Sequence, residues 1–189
     1  SIYMRKQLKV WVAGAAIAAL AVIVTYMLGP KKESALLPGF ADRTTWRNNG
    51  TQTPRAAFET HCWAIVNQSP DVLLTTIEIT PEANRILERT YANLQPSDKA
   101  RVDSPQRMLG MLWTRTGQLP FKGMAIQGEE PSSNGSVAVK VNLQYDGQAF
   151  PRSFFFRQSN GGWRKVSPED QIADILKRLG YLQDYEVVK

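Results

Sequence analysis

The stretch Ser136–Val166, "SVAVKVNLQYDGQAFPRSFFFRQSNGGWRKV", decides the fold. Val137, Val139, Val141, Leu143 and Tyr145 alternate with Ala138, Lys140, Asn142 and Gln144. Successive side chains of a strand point to opposite faces, so this alternation describes a strand with one buried side. Asp146-Gly147 then supplies the positive φ values that a tight hairpin turn requires. "QAFPRSFFFRQ" returns as a second strand, Asn160-Gly161-Gly162 turns again, and "WRKV" forms a third. A further strand is expected ahead of these, around Phe121 to Gln127 in "FKGMAIQGEE". The expected product is an antiparallel meander.

Upstream of the meander the period changes from 2 to 3.6, and one dipeptide punctuates it. Thr53-Pro54, Ser69-Pro70, Thr80-Pro81, Ser104-Pro105 and Ser167-Pro168 each place a hydroxyl before a proline. The hydroxyl can accept from a free N–H of a first helical turn, where proline loses no hydrogen bond. The pairs therefore predict helices over Pro54 to Asn67, over "SPDVLLTTIEI" with Val72, Leu73 and Ile77 inward, over "TPEANRILERTYANL" and over "SPQRMLGMLWTR". A last amphipathic helix is predicted over Pro168 to Leu179, ending at Gly180. Helices followed by a meander make an α+β domain, placed at 53–182 with a tail at 183–189.

The N-terminal end is of a different kind. Val10 to Leu28 is 19 residues without a charge. As a helix rising 1.5 Å per residue it covers about 28 Å, close to the hydrocarbon thickness of a bilayer. A transmembrane helix is thus expected over 9–28, with Trp11 and Tyr26 near its two ends. A cleaved signal peptide competes with this reading. Its apolar core runs to only about 7 to 15 residues, and no small-x-small site followed by a polar stretch closes this one. Arg5, Lys6 and Lys9 precede the segment, which puts residues 1–8 in the cytoplasm and the domain outside. In a bacterial cell that is the inner membrane with a periplasmic domain. Gly14, Ala18 and Ala15, Ala19 form small-xxx-small pairs that allow close approach of a partner helix, although alanine is also simply common in such anchors. Residues 29–52 mix Gly, Pro, Asn and charges without a period and read as a linker. Its Leu36, Leu37, Phe40 and Trp46 are more apolar than a free tether needs.

Charge excludes one function class. The net charge is +6, yet all 17 acidic residues and only 18 of the 23 basic ones lie from Glu33 onward. An almost neutral domain makes a poor footprint for nucleic acid. One cysteine excludes an internal disulfide framework. No His-x3-His or Cys-x2-Cys spacing, phosphate loop or nucleophile elbow occurs, so no catalytic, metal or cofactor residues are assigned.

The only histidine, His61, stands beside the only cysteine, Cys62, in "ETHCWA". Neighbours on a helix are turned about 100° apart, so the two cannot work as nucleophile and base through one face. Cys62 shares a face with Phe58, Ile65 and Val66 and is expected in the core. His61 is expected at the edge of that face, the one pocket candidate. Trp46, Trp63 and Phe155 are candidates for a partner surface; Phe155 falls on the face opposite Phe154 and Phe156.

Helices leading into a sheet that closes with "LQYDGQAFPRSFFFRQSNGGWRKVS" resemble the cone-shaped nuclear transport factor 2-like (SnoaL-like) superfamily. "RNNGTQTPRAAFETHCWAIVNQSPDVL" is also similar to membrane-anchored bacterial proteins of unknown function, in which Thr-Pro and a Trp-Ala pair lead into a short second helix. The resemblance spans roughly residues 46 to 180 and implies N-terminal helices packed on a curved antiparallel sheet. Enzymes of the superfamily carry an Asp, His or Tyr inside the cone, where this chain offers no evident pair. The reading is a non-catalytic, single-pass accessory subunit of a membrane complex, whose partners are other membrane subunits and the lipid bilayer. A ligand-binding or sensing domain using the cone's mouth is the alternative, and an isomerase or dehydratase with His61 as base is the third reading.

Overall fold

The computed structural model describes residues 34–115 and 117–181. The anchor expected over 9–28, with Gly14, Ala15, Ala18 and Ala19, and the tail over 183–189 lie outside the described residues. Among the described residues no helix is long and apolar enough to cross a membrane.

The described residues from Ala35 to Tyr181 form one compact α+β unit. Its elements are β1 (Ala41–Asp42), a 3-10 turn (Arg43–Thr45), α1 (Pro54–Val66), α2 (Pro70–Thr75), β2 (Ile77–Ile79), α3 (Pro81–Ala92), α4 (Pro96–Lys99) and α5 (Pro105–Thr114). Then come β3 (Gly123–Pro131), a 3-10 turn (Ser133–Gly135), β4 (Ser136–Tyr145), β5 (Gln148–Ser159), β6 (Gly162–Ser167) and α6 (Glu169–Arg178). The hydroxyls of Thr53, Thr80 and Ser104 accept from the N–H groups of Ala56, Ala83 and Arg107, so three of the five hydroxyl-proline pairs act as caps. Ser69 starts α2 without a side-chain cap, and Ser167 ends β6 with Pro168 before α6.

The six strands form one strongly curled sheet in the order β1-β3-β4-β5-β6-β2. The β4–β5 turn has Asp146 at φ 44° and Gly147 at φ 79°, the left-handed pair that matches the twist of two antiparallel strands. The sheet is mixed rather than antiparallel throughout. Ile77, expected on a helix, lies in β2, which runs parallel to β6 with Ile77 opposite Lys165. The helix stops because Thr76 turns back, its hydroxyl donating to the Leu73 carbonyl at 2.7 Å. The Ile-Glu-Ile that follows alternates with period 2 and finds a free sheet edge.

Two apolar clusters hold the layers together. On the concave side α1 lays Phe58 and Cys62 onto Val139, Val141, Leu143 and Phe156. Phe58 stacks on Phe154 at 4.9 Å between centroids and meets Phe156 edge-on at 6.4 Å, the two geometries that aromatic quadrupoles favour. Away from the sheet, α3, α5 and α6 close a second cluster around Ile86, Leu87, Leu109, Ile172 and Leu176, with Ile77 of β2.

Residues 35–52, expected as a linker, are built into the domain. Gln144 of β4 points away from α1 and is nonetheless fully buried, because the incoming chain covers it. Its Nε2 donates to the Ala35 carbonyl at 2.7 Å and its Oε1 accepts from the Leu37 N–H at 2.8 Å. Leu36 presses where a Cβ would stand on Gly123. β1 then pairs with β3, and the Thr51 carbonyl accepts from Trp163 N–H at 2.7 Å. Trp46, a candidate for a partner surface, is only 4% exposed and packs on Phe121 at 5.6 Å. The apolar residues of this segment thus find their partner within the domain itself.

Candidate functional site

α1 is buried on most of its circumference, so the two suspect residues go to different interiors. Cys62 joins the aromatic cluster on the sheet, as its helical face predicts. Burial pushes its thiol well above the ordinary range, overcoming the nearby Lys165 ammonium, which pulls the other way. A protonated, enclosed thiol is neither nucleophile nor metal ligand.

His61 is 5% exposed, deeper than the edge position expected of it. Its Nδ1 lies 3.0 Å from Thr76 Oγ1. The Thr76 hydroxyl has one proton and commits it to the Leu73 carbonyl, so toward His61 it can only accept. Nδ1 therefore carries the ring proton, and Nε2 keeps its lone pair. Burial, aided by the charge of Lys165, holds the imidazole well below its ordinary pKa and so neutral. The edge of one ring meets the face of the other between His61 and Trp113 of α5, at 5.4 Å and 84°.

Lys165 completes the cluster. Its position in β6 is opposite the fully buried Phe156 and opposite Ile77, in the centre of the core face. The ammonium donates to Gln171 Oε1 at 2.7 Å and lies 5.3 Å from the Trp113 ring centroid, a cation over an aromatic face. Burial pulls its pKa down to about 8. The sequence carried a signal for this residue. In "GWRKVS", period 2 puts Trp163, Lys165 and Ser167 on one side, and β6 needs that side inward.

His61, Thr76, Trp113, Lys165 and Gln171 thus tie five elements or their ends into one buried polar seam. Its chemistry is that of a closed network: a neutral imidazole bonded to a hydroxyl, and an amine whose partner is a side-chain amide. Clefts in the surface are lined around Met108 and Leu94, around Thr90 and Asn93, around Trp46 and Glu59, and around Lys140 and Arg152. His61, Cys62 and Lys165 line none of these four. Among the described residues no group of His, Cys, Asp or Glu could hold a metal ion.

The remaining candidates separate in the same way. Trp63 is half-buried between the sheet cluster and the small cluster of Ala64, Ile65 and Leu73. Phe155 is 47% exposed on the convex side of the sheet, opposite Ala138. Two residues along β5, Arg157 pairs with Glu78 at 3.0 Å and faces Arg164 across the strands. No family model and no curated protein sequence matches the chain.

Proposed function

We propose that this chain is a non-catalytic, single-pass accessory subunit of a membrane protein complex. An N-terminal helix over 9–28 inserts in the bacterial inner membrane, and the domain, a member of the nuclear transport factor 2-like superfamily, docks other subunits on the periplasmic side. The curled sheet with helices on its concave side is consistent with that superfamily. One observation carries the reading: the concave face where a reaction or ligand would sit is filled by Phe58, Phe154, Phe156 and Leu143, while Phe155 stands exposed on the other face. A packed interior leaves the outer surface to do the work, and an exposed aromatic beside arginines is the composition of a contact centre. The protonated Cys62 thiol and the enclosed His61 ring support this reading over that of an acid-base enzyme.

The experiment is extraction from native membrane in mild detergent, followed by sizing and identification of the co-migrating proteins. The expected result is a complex larger than the chain, weakened by Phe155→Ser. A single peak of monomer size would overturn the proposal.

A further inference from the structure

The convex face of the sheet carries a charge imbalance around its exposed aromatic. Phe155, at 47% the most exposed large apolar side chain among the described residues, stands two residues before Arg157 on β5, so the two share that face. In the register of β5 with β6, Arg157 lies opposite Arg164. Like charges directly opposite on neighbouring strands are destabilising, and an anion shared between them removes the penalty. Glu78 of β2 answers only one of the two. Its Oε1 pairs with Arg157 at 3.0 Å, while its Oε2 is enclosed and has no partner among the described residues. Arg164 has no ion pair among the described residues. On the other side of Phe155 the charges are balanced, Lys140 of β4 pairing with Glu130 of β3 at 2.6 Å. The unmatched charge of this face is therefore a guanidinium beside an aromatic ring.

We propose that this face docks a segment of a neighbouring subunit that presents one Asp or Glu beside one apolar side chain. The carboxylate accepts from the terminal nitrogens of Arg157 and Arg164, since the Nε atoms of both are enclosed, and the apolar side chain lies on Phe155. The inference rests on the docking role given above to the convex face and names the chemistry of the partner. Two residues of strand set ring and guanidinium about 7 Å apart, a spacing that residues i and i+2 of a strand, or i and i+3 or i+4 of a helix, can match. Arginine suits the role because its planar fork meets a carboxylate through two hydrogen bonds at once. Charge also selects a protein segment over a lipid surface. Glu130 and Glu78 flank Phe155 across the sheet, one on each side. An anionic bilayer would press its headgroups against both, whereas a single side chain places its charge only where the arginines are.

The test places the photo-crosslinking residue p-benzoylphenylalanine at Ser153, exposed on the same face, in the full chain in its native membrane, and identifies the adduct by peptide mass spectrometry. The expected adduct is with a segment of another protein that has an Asp or Glu no more than four residues from an apolar side chain. Arg164→Glu is expected to lower its yield at least tenfold, and Lys in place of the partner's carboxylate is expected to restore it in that background. Because Arg164→Glu puts a carboxylate opposite Arg157, the unfolding midpoint is expected to hold or rise while docking is lost, which separates lost recognition from lost folding. An unchanged yield with Arg164→Glu would overturn the proposal, as would an adduct with phospholipid or with a second copy of this chain. If Phe155→Ser dissociates the complex and Arg164→Glu does not, the docking face stands and the acidic partner falls. A chain that extracts as a monomer overturns both.

Discussion

The Nδ1–H of His61 donates to a Thr76 hydroxyl that has already given its own proton to Leu73. This relay of a helix, a turn and a strand end runs in one direction only. Replacing Thr76 by Val leaves the imidazole N–H buried without an acceptor. The expected loss is about 1–3 kcal/mol, read as a lower denaturant midpoint of the full chain in detergent. Thr76→Ser keeps the acceptor and is expected to recover most of the difference. Equal losses from the two variants would show that the hydroxyl is not what matters.

Lys165 makes stability depend on alkaline pH. Its pKa is about 8 in the fold and 10.5 when exposed. Between those values the unfolded chain holds a proton that the folded one has released, so stability rises with pH across that window. The full gain is about 3 kcal/mol, present above the unfolded value and absent below the folded one. Lys165→Met removes the titrating group and fills a similar volume with apolar atoms. The difference in unfolding free energy between wild type and variant, followed from pH 7 to 10.5, is expected to move steadily in favour of the wild type. A pH-independent difference would mean that the ammonium is hydrated in the fold.

The Cys62 thiol is enclosed by Phe58 and Phe156 and held protonated. Native protein is therefore expected to resist a thiol reagent such as iodoacetamide at pH 8, reacting at the rate at which the domain opens. Labelling at the rate of a free thiol before unfolding would contradict the burial of α1.

Gln144 fastens the incoming chain through two hydrogen bonds at once. Gln144→Leu has a similar size and loses both, leaving the Leu37 N–H and the Ala35 carbonyl to find water. Faster hydrogen exchange at Leu37 and earlier proteolysis near residues 35–40 are expected, with the midpoint of the main unfolding transition little changed. Unaltered exchange at Leu37 would show that Leu36 against Gly123 holds the segment alone.

The elements that could be read from the chain are those whose signal is local. Capped prolines marked α1, α3 and α5, alternation marked β4, and Asp-Gly and Asn-Gly marked the two hairpins. β2 was missed because three residues of Ile-Glu-Ile after a helix carry too little periodicity to separate strand from helix. β1 was missed for the same reason, being two residues whose strand character exists only through pairing with β3. Trp46 shows the limit most plainly. Its apolarity was legible, but the choice between a partner's surface and Phe121 depends on where a residue 75 positions away comes to rest.

Cys62 was placed in the core by helical geometry, since a face shared with Phe58 and Ile65 is a property of the sequence spacing. The depth of His61, the inward Lys165 and the covering of Gln144 were decided by tertiary contacts. Each depends on a segment far along the chain arriving above a polar group. The desolvation that shifts a pKa or demands a hydrogen bond arises only when that segment has arrived.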